Sequence, residues 1–377
     1  MIEIVAAMVG AALVAAALAA NQSWLDRHFL PSFFIERRWY VLIETIVRTA
    51  IAAAGVSLVL GRTWFARLVM RAPAMTLRVV AAAILAAVSG ELALRWMHLQ
   101  PTGWLIRQEE PRRQDDPQLG WVLTPARTGH NTIAGRTVDY AIDAAGCRVN
   151  RTDRALDPGR PTIVFGGESV MFGEGLTWEE SIPAQAGTML GVQSANLAVH
   201  GYSMDQIYLR LARELPRFRE PVAVVSIFMT ELFGRNLDAD RPHLGPGLVW
   251  QPAEQRSRLM ALAGLLVPYR SDTTVERGVR VTREVLQATV ALAHHRGAAP
   301  LVVVPQFGAE DHVQRALRER ILGDDIPNIV VRLDHGWRLA WDRHPNPYAA
   351  RVIAAGVAAH LEGRGQHGAI RIPRHAG

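Results

Sequence analysis

The stretch PTIVFGGESVMFG, residues 161–173, decides the fold of the second half of the chain. Thr162–Phe165 is an apolar run with the length of a buried strand, and Val170–Phe172 begins a segment that turns away from it. Between them lies Ser169. In open α/β sheets, chemistry takes place beyond the carboxyl ends of the strands, so we expect the Ser169 hydroxyl to face a cleft. A hydroxyl is a poor nucleophile until a base takes its proton.

Further apolar runs follow this one, and helical patterns separate them. The strand candidates are Thr162–Phe165, Gln193–Leu197, Val222–Phe228, Leu301–Val304 and Asn328–Leu333. The helical patterns cover about 178–190, 203–218, 275–296, 309–322 and 347–362. Strands that alternate with helices predict an α/β fold, with a parallel sheet covered on both faces.

The composition divides the chain into parts. We expect a membrane anchor over 1–100, a charged and proline-containing linker over 101–117, and a soluble domain over 118–377. Within the soluble domain, 118–160 predicts a small β-structured lead-in. Residues 235–274 interrupt the alternation as an irregular insertion, which we expect to form part of the cleft wall.

Three apolar segments, 1–20, 40–60 and 77–97, have the length of a membrane-spanning helix. The first ends in AAALAANQ, which resembles a signal-peptide cleavage site, but it lacks the positive start of such peptides. We therefore expect a retained helix, with cleavage as the alternative.

The orientation follows from the loops between these helices. The loop 61–76 carries Arg62, Arg67 and Arg71 and no acidic residue. Basic residues in short loops favour the cytoplasmic side. We expect the protein in the inner membrane, with everything after residue 100 on the periplasmic or extracytoplasmic side.

Two of these helices carry charge pairs at i,i+4 spacing, Glu44 with Arg48 and Glu91 with Arg95. Charges within a membrane are costly and often functional. The pairs predict either a structural role, as a salt-bridged contact between neighbouring helices or as side chains that snorkel to the interface, or a docking or conduction site.

The overall charge excludes some classes of protein. The chain has 41 lysine and arginine residues against 35 acidic residues, and all 41 are arginine. They are scattered and accompany no basic-aromatic motif, so we expect no nucleic-acid partner.

The single cysteine, Cys147, excludes an internal disulfide. No cluster of His, Cys and acidic residues has metal-ligand spacing, so we expect neither a metal nor a cofactor.

A candidate base for Ser169 comes late in the chain, in the stretch WDRHPN at 341–346. His344 can take the hydroxyl proton, and Asp342 can hold its ring in the required tautomer. Gly201, after the second strand, can bring its amide close to a ligand. Each residue also has a structural interpretation: Ser169 as a helix N-cap, His344 as a loop histidine and Gly201 as a tight turn.

The soluble part resembles the SGNH (GDSL-type) hydrolases, and within them the membrane-tethered extracytoplasmic members. The resemblance lies in the order and spacing of four blocks, DPQLGWVLTP, PTIVFGGESVMFGEGL, NLAVHGYSMDQ and DRHPN. It implies a flavodoxin-like three-layer sheet, with Ser169 as nucleophile, His344 as base and Asp342 as its orienting acid. It also implies an oxyanion hole lined by the amides of Ser169 and Gly201.

The sequence departs from that family in three places. Glu168 replaces the usual aspartate before the serine, and the orienting acid stands two residues before His344, where many relatives have it three before; Asp334 is the reserve candidate. In the third block, MTELFGRN lacks the asparagine at its usual position, so Thr230, Asn236 or no side chain takes the role of the further oxyanion donor.

The resemblance implies a serine esterase or O-acyltransferase that acts on acyl esters, acetyl first, of a cell-surface glycan. A transferase would need a multi-spanning membrane partner to bring acyl groups across the bilayer, because three helices are few for such transport. The alternative is a non-catalytic glycan-binding or assembly subunit, which the altered third block favours.

Overall fold

A computed structural model describes residues 1–28, 30–31, 33, 37–97, 110–153, 155–254, 257–261 and 270–366. The chain folds into two compact units. One comprises Met1–Trp104 and Arg256–Asp272, and the other Leu105–Gln255 and Thr273–Gly377. The chain therefore leaves the second unit within the predicted insertion and returns to it at residue 273.

The first unit is helical. Its helices are α1 (Ile2–Ala19), α2 (Gln22–His28), α3 (Arg37–Leu60), α4 (Arg62–Arg71) and α5 (Pro73–Trp96). Three of them, α1, α3 and α5, are long and apolar enough to cross a membrane. These are the three predicted spans, with bounds shifted by up to four residues.

Helices α1 and α3 approach each other closely at a pair of glycines. A Cβ atom on Gly10 would lie 2.6 Å from the Gly55 carbonyl oxygen, and a Cβ on Gly55 would lie 2.6 Å from the Gly10 carbonyl oxygen. Both residues are buried, as are Ala6 and Ala17 on α1. Small residues at such a crossing let two membrane helices pack backbone against backbone.

The Glu91 carboxylate on α5 is engaged within the first unit. It forms the expected ion pair with Arg95, at 2.6 Å, and it accepts hydrogen bonds from the amides of Arg258 and Leu259 and from the Ser257 hydroxyl. Residues 257–259 of the predicted insertion therefore bind α5 of the first unit, and a role of the insertion in the cleft wall stays a prediction. Residues 255–256 and 262–269 lie outside the described residues.

The second unit is built on a mixed eight-stranded sheet. The strands of this unit are β1 (Arg113–Asp116), β2 (Gly120–Leu123), β3 (Arg127–Ile133), β4 (Arg136–Ile142), β5 (Arg148–Val149), β6 (Thr162–Gly166), β7 (Gln193–Asn196), β8 (Pro221–Ile227), β9 (His243–Leu244), β10 (Trp250–Gln251), β11 (Ala299–Phe307) and β12 (Asn328–Leu333). The order across the main sheet is β12-β11-β8-β6-β7-β5-β4-β3. The strands β6, β7, β8, β11 and β12 pair in parallel. Their order is that of a flavodoxin-like doubly wound sheet, which confirms the predicted α/β class.

Helices connect and cover these parallel strands. They are α6 (Ser169–Phe172), α7 (Ile182–Leu190), α8 (Met204–Glu214), α9 (Asp272–His295), α10 (His312–Leu322) and α11 (Pro347–Gln366). Their buried positions are mainly aliphatic: in α11, Ile353, Ala354 and Val357 are completely inaccessible. The core therefore lies between the parallel strands and these helices, and it fixes the loops at the carboxyl ends of the strands.

The lead-in is more extensive than the sequence predicts. Strands β3, β4 and β5 extend the main sheet in antiparallel pairing, and β5 pairs with β7 through Arg148 and Asn196. The linker predicted over 101–117 is too long, because Arg113–Asp116 forms β1 and pairs with β2. Residues 98–109 lie outside the described residues. An all-polar strand such as RQDD gives no apolar alternation by which to recognise it.

Candidate active site

Ser169 is the first residue of the short helix α6, directly beyond strand β6. Glu168 is the N-cap, and its carboxylate accepts from the Val170 amide at 3.1 Å. A Cβ on Gly167 would lie 2.3 Å from the Cβ of Met171, so only glycine allows this tight passage from strand to helix. The strand and the turn together place Ser169 at the carboxyl edge of the sheet, as the sequence predicts.

Ser169, His344 and Asp342 form one hydrogen-bonded chain. His344 Nε2 lies 2.8 Å from Ser169 Oγ, and His344 Nδ1 lies 2.5 Å from Asp342 Oδ1. The serine and the histidine stand 175 residues apart in sequence. This is the geometry in which a carboxylate orients an imidazole and the imidazole takes a hydroxyl proton.

The loop that carries His344 is closed by its own backbone. The Leu339 amide donates to the His344 carbonyl at 2.9 Å, and the Asn346 amide donates to the Trp337 carbonyl at 3.1 Å. The same Asp342 oxygen that faces the imidazole also accepts from the His344 amide, at 2.7 Å. These bonds fix both the backbone and the ring of His344. Asp334, the reserve candidate, instead accepts from the Gly336 amide in its own turn.

The surroundings of His344 change its pKa in two opposing ways. Burial alone would lower the pKa of His344. The hydrogen bond to Asp342, together with the negative charges of Glu174, Asp342 and Glu168, has the larger effect, and the pKa is raised. For Asp342, burial works to raise the pKa, and the hydrogen bond from His344 outweighs it and lowers that pKa. The carboxylate is therefore ionised where the imidazole needs an acceptor.

The loop after β7 lies against the Ser169 turn. The Val199 amide donates to the Gly167 carbonyl at 3.0 Å, and the Leu197 amide donates to the Phe165 carbonyl at 2.8 Å. Gly201 follows two residues after Val199 and has φ +77°, a conformation that favours glycine. Its carbonyl accepts from the Arg241 guanidinium at 2.6 Å. This loop carries the Gly201 amide that we assign to the oxyanion hole as a proposal.

The two side-chain candidates of the third block have different surroundings. Thr230 is buried at the start of the 3₁₀ segment Thr230–Leu237, directly after β8. Asn236 has a structural role, because its carbonyl oxygen accepts from the Met204 amide at 2.8 Å and its amide donates to Thr282 at 3.1 Å. Those bonds join the start of α8 to α9. Of the two, Thr230 is the better candidate for an oxyanion donor.

Glu168 also contacts the Ser169 hydroxyl itself, which sequence reasoning missed. The Ser169 hydroxyl lies 2.6 Å from Glu168 Oε2, and both side chains are buried. The Arg235 guanidinium lies 3.8 Å from the same oxygen. Burial lowers the pKa of Arg235. The serine hydroxyl therefore stands between a carboxylate and an imidazole.

The turn that ends α6 is held by a buried arginine, also missed by sequence reasoning. The Arg148 guanidinium donates to the carbonyls of Phe172, Gly173 and Leu176, at 2.5, 2.7 and 2.5 Å. Arg148 is completely inaccessible, and its burial lowers its pKa to about 10. A buried guanidinium with several carbonyl acceptors is strongly oriented, so it fixes the turn immediately after the nucleophile candidate.

The remaining unpredicted neighbour is Glu174, whose carboxylate lies 3.6 Å from His344 Nε2. On its other side, His200 Nε2 lies 2.9 Å from the same Glu174 oxygen. The sequence offers Glu174 only as part of the block SVMFGEGL, without a motif that marks it for a role.

Comparisons with known proteins give a limited result. No family model matches the sequence, and no curated protein matches it. Among solved structures, a protein assigned to the G-D-S-L lipolytic family from Desulfitobacterium hafniense DCB-2 is 14% identical, covers 52% of this chain and 98% of its own, and has a TM-score of 0.34. The acetyl xylan esterase Est2A from Butyrivibrio proteoclasticus is 11% identical, with 58% and 67% coverage and a TM-score of 0.36. At these sequence identities and TM-scores, the similarity supports no conclusion about function. The function is inferred from the geometry of Ser169, His344 and Asp342 in this chain.

Proposed function

We propose that this protein is a membrane-anchored serine esterase or O-acyltransferase of the SGNH type. The observation that supports it is the Ser169–His344–Asp342 chain, with separations of 2.8 and 2.5 Å. A serine, a histidine and a carboxylate in this order activate a hydroxyl for acyl transfer.

The proposed reaction has two steps. Ser169 Oγ attacks the ester carbonyl while its proton passes to His344 Nε2, and the amides of Ser169 and Gly201, with the Thr230 hydroxyl, stabilise the oxyanion. The tetrahedral intermediate collapses, and His344 returns the proton to the leaving alcohol, which leaves an acyl-enzyme. In the second step, His344 takes a proton from water or from a sugar hydroxyl, and that oxygen attacks the acyl carbonyl. The second tetrahedral intermediate collapses, and His344 returns the proton to Ser169 Oγ, which leaves as a free hydroxyl while the acyl group departs on the water or sugar oxygen.

We propose an acylated glycan, with acetyl as the acyl group, as the substrate. The supporting feature is Trp341, next to Asp342: its side chain is fully exposed, and its φ of +61° is rare for a bulky residue. An exposed and strained residue beside reacting groups often serves binding. An indole face is a suitable platform for the apolar face of a sugar ring.

The membrane setting of the proposal comes from the three apolar helices and the arginines of the connection 61–76, which contains α4. The positive-inside rule places that connection in the cytoplasm and the Ser169 domain on the periplasmic side of the inner membrane. If the enzyme is a transferase, its donor comes from a multi-spanning membrane partner.

The test is covalent labelling of the full chain in detergent micelles with a fluorophosphonate, which reacts with an activated serine and needs no known substrate. We expect wild type to be labelled, Ser169→Ala and His344→Ala to lose labelling, and His294→Ala to keep it, since His294 is exposed at the end of α9. Folded wild type that stays unlabelled contradicts catalysis. It would favour the non-catalytic glycan-binding subunit, in which Glu168 holds the serine hydroxyl.

A further inference from the structure

Glu174 is fixed in place by the turn that follows α6. It lies between Gly173, with φ +87°, and Gly175, with φ +72°. Its amide donates to the Ser169 carbonyl at 3.0 Å, and the Gly175 amide donates to the Tyr140 hydroxyl oxygen at 2.9 Å. The position of Glu174 is thus tied directly to that of Ser169.

The Glu174 carboxylate faces two imidazoles with one oxygen. Glu174 Oε2 lies 2.9 Å from His200 Nε2 and 3.6 Å from His344 Nε2. The His200 side chain is 5% exposed, and its ring packs on Phe172 with the ring centroids 4.2 Å apart. The carboxylate therefore reaches the nitrogen of His344 that faces Ser169, on the side opposite to Asp342.

The contact between Glu174 and His344 affects the protonated form of the imidazole. A protonated His344 carries a hydrogen on each ring nitrogen. The Nδ1 hydrogen points to Asp342, and the Nε2 hydrogen lies between Ser169 Oγ and Glu174 Oε2. A carboxylate at 3.6 Å, where the His344 side chain is 13% exposed and the Glu174 side chain 21% exposed, stabilises that second hydrogen and the positive charge of the ring.

We propose that Glu174 is a positioning residue for His344: its carboxylate holds the Nε2 side of the imidazolium as Asp342 holds the Nδ1 side, and His200 fixes that carboxylate. The proposal rests on the proposed function, in which His344 is the base. Glu174 forms no bond to substrate and takes no proton. The serine proton passes to His344 and on to the leaving alcohol, while Glu174 stabilises the charge on the ring between these two transfers.

The charges around the pair support this role. Burial works to raise the pKa of Glu174, but His200 and then His344 outweigh it, so that pKa lies well below its usual range. The other charged and titratable groups that face Glu174 or His344 are Asp342, Glu168, Arg113, Tyr140, Arg148 and Arg235. The three carboxylates differ in what they contact. Asp342 faces the Nδ1 atom of His344, Glu168 bonds the Ser169 hydroxyl, and Glu174 lies next to the Nε2 atom of His344.

The test compares Glu174→Gln with Glu276→Gln in the full chain in detergent micelles. Glu276 is an exposed carboxylate, paired with Arg320 at 2.7 Å, so it controls for the loss of one charge. Histidine-selective ¹⁵N labelling and NMR, with His344 assigned from the His344→Gln spectrum, give the pKa of His344 without any need for activity. We expect Glu174→Gln to lower that pKa by about one unit or more, and Glu276→Gln to leave it unchanged.

A second variant separates charge from packing. Glu174→Asp keeps the charge near His344 and should return its pKa most of the way to the wild-type value. The proposal is overturned if Glu174→Gln leaves the pKa unchanged, or if the aspartate lowers it as much as the glutamine. Fluorophosphonate labelling of wild type decides the proposed function separately, because the NMR titration gives its answer even in an unlabelled protein.

Discussion

The Ser169 hydroxyl stands 2.6 Å from the carboxylate of the residue directly before it, Glu168. An ionised carboxylate only accepts hydrogen bonds, and a hydroxyl has one proton to donate. A proton given to Glu168 is not available to His344 Nε2, which lies 2.8 Å away. In that arrangement the imidazole must itself be protonated to bond the serine oxygen, and the serine is at rest. The active arrangement returns the proton to the line between Ser169 and His344.

Replacing Glu168 by glutamine should therefore speed the reaction of Ser169. The same Glu168 oxygen accepts from the Val170 amide, so the carboxamide keeps its oxygen at that position. An uncharged carboxamide oxygen accepts more weakly than a carboxylate, which makes the hydroxyl proton more available to His344. A hydrogen bond to a charged group is worth about 1.5–3 kcal/mol, so we expect labelling about tenfold faster at neutral pH. The measurement is the second-order rate of fluorophosphonate labelling. A slower rate than wild type would show that Glu168 activates the serine, and Glu276→Gln is the control for charge.

The activity and one part of the stability should respond to pH in opposite directions. The pKa of His344 is raised, so its favourable interactions are fully present below about pH 6.5 and are lost as pH rises through the higher folded-state value. The same deprotonation makes His344 a base, so labelling should rise with pH over that range. Labelling rates and chemical unfolding, both measured from about pH 5 to 9, test this. His344→Gln should remove the His344 contribution to both profiles, and a labelling rate that falls as pH rises would contradict the assignment.

Loss of the buried Arg148 should disrupt the turn after Ser169. Arg148→Met leaves three carbonyls without their donor, so we expect a loss of about 3 kcal/mol or more in the free energy of unfolding, together with loss of labelling. Denaturant titration measures the first effect. Arg151→Met is the matched control, because Arg151 is exposed and pairs only with Asp153 among the contacts described, at 2.8 Å. We expect it to change stability by less than about 1 kcal/mol. Equal effects of the two variants would show that Arg148 has no special role.

Trp341→Ala should weaken the use of a saccharide ester without touching the serine. We expect a higher KM for an acetylated oligosaccharide, by about tenfold, while fluorophosphonate labelling stays at the wild-type rate. Trp250→Ala is the control, since Trp250 is also exposed but its indole donates to the Gln118 carbonyl. An unchanged KM in Trp341→Ala would remove the support for a glycan substrate.

Trp341→Gly should be more stable than Trp341→Ala by about 1 kcal/mol, because φ is +61°.

In the helical unit, a single methyl group at Gly55 should be costly. Gly55→Ala places a Cβ 2.6 Å from the Gly10 carbonyl oxygen, so α1 and α3 must move apart, at a cost of about 1–3 kcal/mol. Gly90→Ala on α5 is the matched control, because its Cβ would lie 3.7 Å from Leu259, an ordinary contact. Thermal unfolding in detergent should show a lower midpoint for Gly55→Ala alone. Equal midpoints would mean that the helix crossing tolerates a wider separation.

The parallel strands could be predicted because each is an apolar run between turn signals. The run TIVF at 162–165 and the run NIVVRL at 328–333 both form strands of the main sheet. The residues Ser169, His344 and Asp342 could be predicted from their blocks, and the structure brings them together. Strand β1 could not be predicted, because Arg113–Asp116 is entirely polar and has no apolar pattern. It is recognised as a strand from its pairing with β2 in the structure.

The supporting residues of the site could not be predicted either. Arg148 is one arginine among many, and only the fold shows that it is buried against carbonyls 24 to 28 residues away. Glu174 gains its surroundings from His200 and His344, which come from different loops. Asn236 has the residue type expected of an oxyanion donor, but the fold uses it to join α8 to α9. Pattern identifies candidate residue types, and long-range packing decides their roles.

The carboxylate of Glu91 has a consequence for the order in which the protein is made. Its partners at 257–259 lie 166 to 168 residues further along the chain. The helix α5 therefore leaves the ribosome well before the groups that bind its acidic side chain exist. Completion of the helical unit must wait for more than half of the unit that carries Ser169 to be synthesised, whereas independent domains fold as they emerge. Biogenesis of the two units is thereby linked in time, and a chain that stops before residue 257 leaves the helical unit unfinished.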